Sequence, residues 1–175
     1  GFVYGRVSSP TVAQLQDKLA ALEGGEAALC FGSGVAAAHA LICGRLGRGD
    51  HLIVPDANYV GIAELARDTL PRFGIEVSYV DVSRPEEVAA AIRPNTRMLW
   101  LETPANPTLR MTDIAAAAAA ARRHSNAPLV AVDNTFMGPT FQHPLSHQAD
   151  LAVYSATKFL SGLSDMLAGV ILGRD

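Results

Sequence analysis

Four short segments of this chain carry side chains whose chemistry depends on where they are held. Ser155-Ala156-Thr157-Lys158 sets an amine behind two hydroxyls and ahead of Phe159-Leu160 and Ser161-Gly162. An isolated lysine is ordinarily a solvated surface charge. One that leaves an apolar run for an apolar setting is suited to attack a carbonyl and form a Schiff base. Asp133, in Val132-Asp133-Asn134-Thr135, also ends an apolar run, and a carboxylate there needs a cation or several donors to offset its lost hydration. Its ordinary alternative is a helix N-cap. Gly32-Ser33-Gly34-Val35 joins an apolar run to a helical pattern. Free N–H groups and the helix dipole make such a turn a seat for phosphate, and small residues let the ligand approach the backbone. A tight turn without a ligand has the same composition. Asn106, in Glu102-Thr103-Pro104-Ala105-Asn106-Pro107, has an amide that either donates to a bound oxygen or completes a turn.

The elements that must position these groups follow from periodicity. Thr11 to Leu22 has helical spacing and stops at Gly24-Gly25. Ala27 to Phe31 is a strand, Gly34 to Leu46 a helix, His51 to Val54 a strand, Tyr59 to Arg72 a helix, and Ile75 to Val80 a strand. Ser83-Arg84-Pro85-Glu86 has the form of a capping box and predicts a short helix from Glu86 to Ile92. Arg97 to Leu101, Leu129 to Val132, Leu151 to Tyr154 and Ala168 to Leu172 complete seven strands, and an alanine-rich helix lies between Asp113 and Arg123. Runs such as Leu129-Val130-Ala131-Val132 suit strands buried on both faces, so the fold class is α/β, a mainly parallel seven-stranded sheet with helices on both faces. In such sheets ligands sit beyond the carboxyl ends of the strands. All four segments fall there.

Composition narrows the partners. The 175 residues are 49% hydrophobic and 18% charged, enough apolar mass for a packed core rather than a disordered chain. Lys and Arg number 14 against 17 Asp and Glu, a net charge of −3, which argues against nucleic acid and against a membrane surface. Ala27 to Gly44 carries no formal charge but is broken by Gly32, Ser33 and Gly34, so it reads as strand, turn and helix instead of a membrane span. The start lacks a signal-peptide pattern, and Cys30 and Cys43 make no disulfide framework, which suits the cytoplasm. The chain begins without Met and stops just after an apolar run, as a piece of a longer protein does. His143 and His147 flank a proline with no close cysteine pair, so loop histidines are expected and no metal.

Taken together, an amine, a lone carboxylate, a neutral amide and phosphate donors facing one crevice are the groups that hold pyridoxal 5′-phosphate: amine for aldehyde, acid for ring nitrogen, donors for phosphate. A competing reading takes Gly32-Ser33-Gly34-Val35-Ala36-Ala37 and Asp56 as a dinucleotide fingerprint, which would make the protein a nicotinamide-dependent oxidoreductase and leave Lys158 and Asp133 without a role. Phe31 and Val35 flank Ser33 where a nucleophile elbow has glycines, which excludes that motif.

Along its whole length the sequence resembles the Cys/Met-metabolism family of pyridoxal-phosphate enzymes, whose members include cystathionine γ-synthases and γ-lyases, methionine γ-lyases and O-acylhomoserine sulfhydrylases. The likeness is carried by Tyr4-Gly5-Arg6 before Pro10-Thr11, Leu22-Glu23-Gly24-Gly25-Glu26-Ala27, Ser33-Gly34, Gly49-Asp50-His51, Glu102 to Pro107, Val132 to Thr135, and Ser155 to Lys158. It implies the large cofactor domain of fold-type I enzymes, of the aspartate aminotransferase kind, over residues 26–175. Residues 1–25 would belong to an N-terminal arm and entry helix, and a C-terminal small domain would lie outside this chain. It further implies that Lys158 carries the cofactor and shuttles protons, and that Asp133 pairs with the ring nitrogen. Tyr59 would stack on the ring and assist acid–base steps, or else be a helix-start residue packed on the sheet. Asn106 would bind the ring hydroxyl oxygen, and Ser33, Gly34, Val35, Ser155 and Thr157 the phosphate. Tyr4 and Arg6 would serve a neighbouring subunit's site in a dimer of dimers. The implied activity is γ-elimination or γ-replacement on sulfur amino acids or O-acylhomoserine, in the cytoplasm, with the partial chain a poor catalyst alone. Ser9, Val35, Val60, Ile62 and Leu163 depart from the family pattern. Gly61 stands where methionine γ-lyases carry Cys, which argues against that member. A truncated or degenerate paralogue without turnover is the other outcome that Leu163 and the missing half allow.

Overall fold

The computed structural model describes residues 4, 5 and 7–174. Its elements alternate: α1 (Pro10–Glu23), β1 (Ala27–Phe31), α2 (Gly34–Arg45), β2 (His51–Pro55), α3 (Val60–Glu64), β3 (Glu76–Val80), α4 (Pro85–Ala91), β4 (Thr96–Glu102), α5 (Ile114–Arg122), β5 (Leu129–Asp133), α6 (Gly138–Phe141), β6 (Leu151–Tyr154) and β7 (Gly169–Gly173). The seven strands form one sheet in the order β1-β7-β6-β5-β4-β2-β3. β7 is antiparallel to both neighbours and the other pairings are parallel. Six strands therefore point the same way. The carboxyl ends of β1, β2, β4, β5 and β6 share one edge with the start of β7.

Side-chain alternation along each strand divides the core between the two faces. Leu52, Val54, Met98 and Trp100 pack under α2 and α3 with Ala37, Ile42 and Leu65. Ile53, Leu99, Leu101, Val130 and Val132 pack on the other face under α4 and α5 with Val88, Ala117 and Ala121. A third cluster joins Ala20 of α1 and Leu145 to Ala152, Tyr154, Val170 and Leu172. The alanines of α5 permit the close approach of that helix to the sheet, and Asp113 caps it by accepting the Ala116 N–H at 2.9 Å. Among the described residues no helix is long and apolar enough to cross a membrane.

Two local expectations are corrected. Ser83 does not cap α4, because its hydroxyl donates to Asp81 Oδ1 at 2.6 Å; Arg84 occupies the cap position without a side-chain cap bond and reaches Glu87 Oε1 at 3.0 Å. The helix expected from Tyr59 to Arg72 is regular only over Val60–Glu64, then widens into a π-type turn at Leu65–Thr69 and tightens into a 3-10 turn at Leu70–Phe73. Pro71 supplies no N–H to an α-helical ladder, and Gly74 ends the segment at φ +75°.

Two buried polar groups tie the layers. His51, fully buried, bonds Thr96 Oγ1 at 2.8 Å and Ser78 Oγ at 2.9 Å through its two ring nitrogens. At the other edge the Tyr154 hydroxyl donates to the Glu23 carboxylate and accepts from Asn134 Nδ2 at 2.8 Å. This joins the last turn of α1 to the ends of β5 and β6, and burial pushes the Glu23 carboxyl above its usual range.

Candidate active site

A cavity of about 860 Å³ opens at the shared carboxyl edge, a size suited to a cofactor or other small molecule. β1 delivers Ser33, Gly34 and Val35 to it through the turn into α2; β5 delivers Asp133, and β6 delivers Ser155, Thr157 and Lys158. Tyr59 at the start of α3 and Asn106 in the loop after β4 line it as well. Nine residues expected from the sequence thus share one space. Tyr4 is exposed and does not line this cavity, and Arg6 lies outside the described residues.

The turn before α2 has the geometry of an anion seat. The Ser33 hydroxyl accepts the Ala36 N–H at 3.0 Å and the Ser33 carbonyl accepts that of Ala37 at 3.0 Å, which leaves the Gly34 and Val35 N–H groups without a protein acceptor among the described residues. Glycine is required here for space. A Cβ on Gly34 would meet Ser155 Cβ at 2.7 Å, and one on Gly169 would meet the Ser33 carbonyl oxygen at 2.0 Å. β7 and the end of β6 therefore close directly on the turn. The Ser155 hydroxyl has no partner among the described residues, whereas the Thr157 hydroxyl is engaged with the Ala168 backbone, to its O and from its N, both at 3.1 Å.

Asp133 keeps one carboxylate oxygen for local structure and one for the cavity. Oδ1 accepts the Thr135 N–H at 3.0 Å and its hydroxyl at 2.6 Å. Thr135 Oγ1 in turn accepts the Ser155 N–H at 2.8 Å, locking the ends of β5 and β6 together. Oδ2 has no partner among the described residues. Asp133 is half-buried because one side opens on the cavity, and desolvation on the others pushes its carboxyl above the usual range against the Thr135 bonds. Asp133 is not a helix cap. Lys158 sits in a turn after β6 and is exposed where the cavity opens, and among the described residues its amine has no hydrogen-bond or ion-pair partner. Phe136 and Phe159 pair as tilted rings 6.3 Å apart on the apolar wall.

Glu102 also lines this cavity, although the sequence singled out only Asn106 from its loop. At 4% exposure it accepts the Tyr59 N–H at 2.8 Å and the Asn106 N–H at 2.6 Å. Burial, with the nearby Asp133 adding to it, pushes its carboxyl up to about 7. The available signal was a carboxylate ending an apolar strand; its partners lie too far apart in sequence to be paired by spacing. Asp56, the acidic member of the dinucleotide pattern, does not reach the cavity and is held by Arg110 at 2.9 Å. That arrangement leaves the nicotinamide reading without its ribose ligand.

A mainly parallel α/β sheet whose strand ends bring an unpaired lysine, a carboxylate and free N–H donors into one cavity defines a cofactor-site fold of the pyridoxal-phosphate class. A family model for Cys/Met metabolism PLP-dependent enzymes matches residues 1–175, and the chain belongs to that family. It is 46% identical over 171 residues to cystathionine beta-lyase MetC of Staphylococcus haemolyticus, covering 98% of this chain and 43% of the relative. It is 43% identical over 175 residues to an L-methionine gamma-lyase of Porphyromonas gingivalis, covering 100% and 44%. The crystal structure of metB from Corynebacterium glutamicum superposes at a TM-score of 0.97 and 39% identity, covering all of this chain and 45% of that one. The chain therefore spans less than half the length of the relatives it matches.

The residues present fit the family's cofactor. An amine, a carboxylate oxygen without a partner, and two N–H groups with an unpaired hydroxyl face a single cavity, and these match an aldehyde, a protonated ring nitrogen and a phosphate.

Proposed function

We propose that this chain is the cofactor-carrying part of an enzyme that makes or breaks a carbon–sulfur bond in a sulfur amino acid, or replaces the acyl group of an O-acylhomoserine. The observation that carries this reading is the meeting of Lys158 and Asp133 in one cavity with an N–H seat at its rim. Bound there, pyridoxal phosphate supplies an electron sink for negative charge that develops on the substrate's α-carbon. Lys158 anchors the cofactor through Nζ and afterwards carries protons at that same atom. Asp133 Oδ2 accepts the ring N–H, while the Thr135 bonds to Oδ1 keep the carboxylate turned toward the cavity. Gly34 and Val35 N–H and the Ser155 hydroxyl hold the phosphate, with Ser33 and Thr157 shaping the seat. Asn106 holds the ring oxygen, and Tyr59 covers the ring face and assists proton movement.

The relatives' names span a β-lyase and a γ-lyase at similar identity, so the reaction class covers elimination at either carbon as well as γ-replacement. Gly61 bears on the choice. A side chain there would meet the Tyr59 ring at 2.8 Å and Val35 at 3.0 Å, so its absence sets where Tyr59 lies. We place residues 26–175 as the large domain, residues 1–25 as arm and entry helix, and a small domain elsewhere in the full protein. The full enzyme is read as a cytoplasmic dimer of dimers, with Tyr4 and Arg6 serving a neighbour's site; exposed Phe159, Leu163 and Leu167 near the cavity suit such coverage. The test is turnover by the full-length protein loaded with pyridoxal phosphate, offered L-cystathionine, L-methionine or O-acetylhomoserine with a thiol. Release of a thiol and a 2-oxo acid, or formation of a thioether, is expected. Cofactor binding with no turnover of any of the three points instead to the degenerate paralogue.

A further inference from the structure

Glu102 is costly as a purely structural residue. It is buried, no cation pairs with it among the described residues, and it lies opposite Asp133 in the register of β4 and β5, so the acidic group facing it on the adjacent strand has the same sign. A buried carboxylate in that setting loses hydration and gains repulsion. What it gains is two backbone N–H bonds. One comes from Tyr59, 43 residues away at the start of α3, and the other from Asn106, four residues on in the loop. Each of these residues presents a side chain to the cavity, and neither side chain has a hydrogen-bond partner among the described residues. Their backbone bonds to Glu102 therefore supply an anchor that the side chains lack.

We propose that Glu102 is a positioning residue for the site, its two carboxylate oxygens fixing the backbones of Tyr59 and Asn106 so that the ring and the amide meet the cofactor from the correct sides. This rests on the reading of the cavity as a pyridoxal-phosphate site and adds to it a residue that itself contacts no reacting atom. Chemistry distinguishes the role from simple space-filling. Glutamine has the same shape but one acceptor oxygen and one NH₂, so it can satisfy only one of the two N–H groups and presents a donor to the other.

The experiment compares full-length wild type, Glu102→Gln and Glu102→Asp, all reconstituted with pyridoxal phosphate. Loss of one charge-assisted bond predicts a fall in kcat on L-cystathionine of about 10- to 100-fold for the Gln variant. KM stays within about threefold, the C=N bond between bound cofactor and Lys158 remains fully reducible by borohydride, and the visible circular dichroism of the cofactor weakens as its ring loses a fixed orientation. The Asp variant, which keeps both acceptors, recovers part of each loss; should the Gln variant not fold, the Asp variant is read by the same assays for a smaller loss in the same direction. In a Tyr59→Ala, Asn106→Ala background the Gln penalty shrinks to within about threefold, since Glu102 acts through the side chains that those two residues present. An unchanged dichroic band with kcat within twofold of wild type, or a full penalty in the double background, overturns the proposal while leaving the cofactor reading intact. Wild type that takes up no cofactor at Lys158 overturns both.

Discussion

Replacing Gly34 by alanine tests the phosphate seat with the smallest possible change. Its φ is not left-handed, so the backbone accepts alanine. The obstacle is the end of β6: the new methyl would lie 2.7 Å from Ser155 Cβ and 2.8 Å from its Cα, where ordinary contact begins at 3.4 Å. Either the first turn of α2 or the Ser155 segment must yield, and both carry groups of the seat. Hydrogen bonds from N–H to phosphate oxygen weaken quickly outside about 2.7–3.1 Å, and each charge-assisted bond contributes about 1.5–3 kcal/mol. Loss of one such bond predicts pyridoxal-phosphate affinity about 10- to 100-fold weaker. The assay is equilibrium titration of the cofactor-free full-length protein, followed by cofactor absorbance, with pyridoxal as the control that lacks the phosphate. Pyridoxal binding should change by less than about threefold. Affinity for pyridoxal phosphate within twofold of wild type, or an equal loss for both ligands, refutes the assignment of this turn to the phosphate.

Three further outcomes follow from the same geometry. Asp133→Asn keeps the shape and the Oδ1 bond but removes the charge facing the ring nitrogen, so kcat/KM should fall on the order of 100- to 1000-fold, the scale of breaking a buried charge pair, with the fold intact by far-ultraviolet circular dichroism. Gly169→Ala drives a methyl into the Ser33 carbonyl at 2.0 Å, against backbone that cannot swing aside, and urea unfolding should show destabilisation at or above the upper part of the ~1–3 kcal/mol overpacking range. His51 is held below its ordinary pKa of 6.5 chiefly by burial and then by Arg93, with Glu76 opposing. The unfolded chain therefore binds the proton more readily, and this contribution to stability is present above about 6.5 and lost as pH falls through the lower folded value. Relative to His51→Gln, wild type should lose thermal stability from pH 7 to pH 5; parallel curves would contradict it.

Much of this arrangement was legible in the sequence because strands buried on both faces leave uninterrupted apolar runs. β1 and β6 have the expected bounds, and the others differ by a residue or so at their ends. Turn chemistry was less legible. Ser83 has a competing acceptor two residues earlier in Asp81, and a capping pattern carries no record of that choice. Within the site, Lys158, Asp133 and Ser33 stand out because each breaks an apolar or helical pattern at a strand end. Glu102 breaks one too, but what it holds is set by tertiary structure. The same applies to the Tyr154–Glu23 pair, 131 residues apart, and to Thr135, whose hydroxyl bridges two strand ends that only the sheet brings together.

The bond between cofactor and Lys158 is the feature on which the proposed chemistry depends most directly. Full-length protein loaded with pyridoxal phosphate, reduced with borohydride, digested and mapped by mass spectrometry should carry one pyridoxyl-phosphate group per chain, on the peptide containing Lys158, and Lys158→Ala should carry none there. A stoichiometric adduct on a different lysine, or a protein that gains no cofactor chromophore at all, would contradict it.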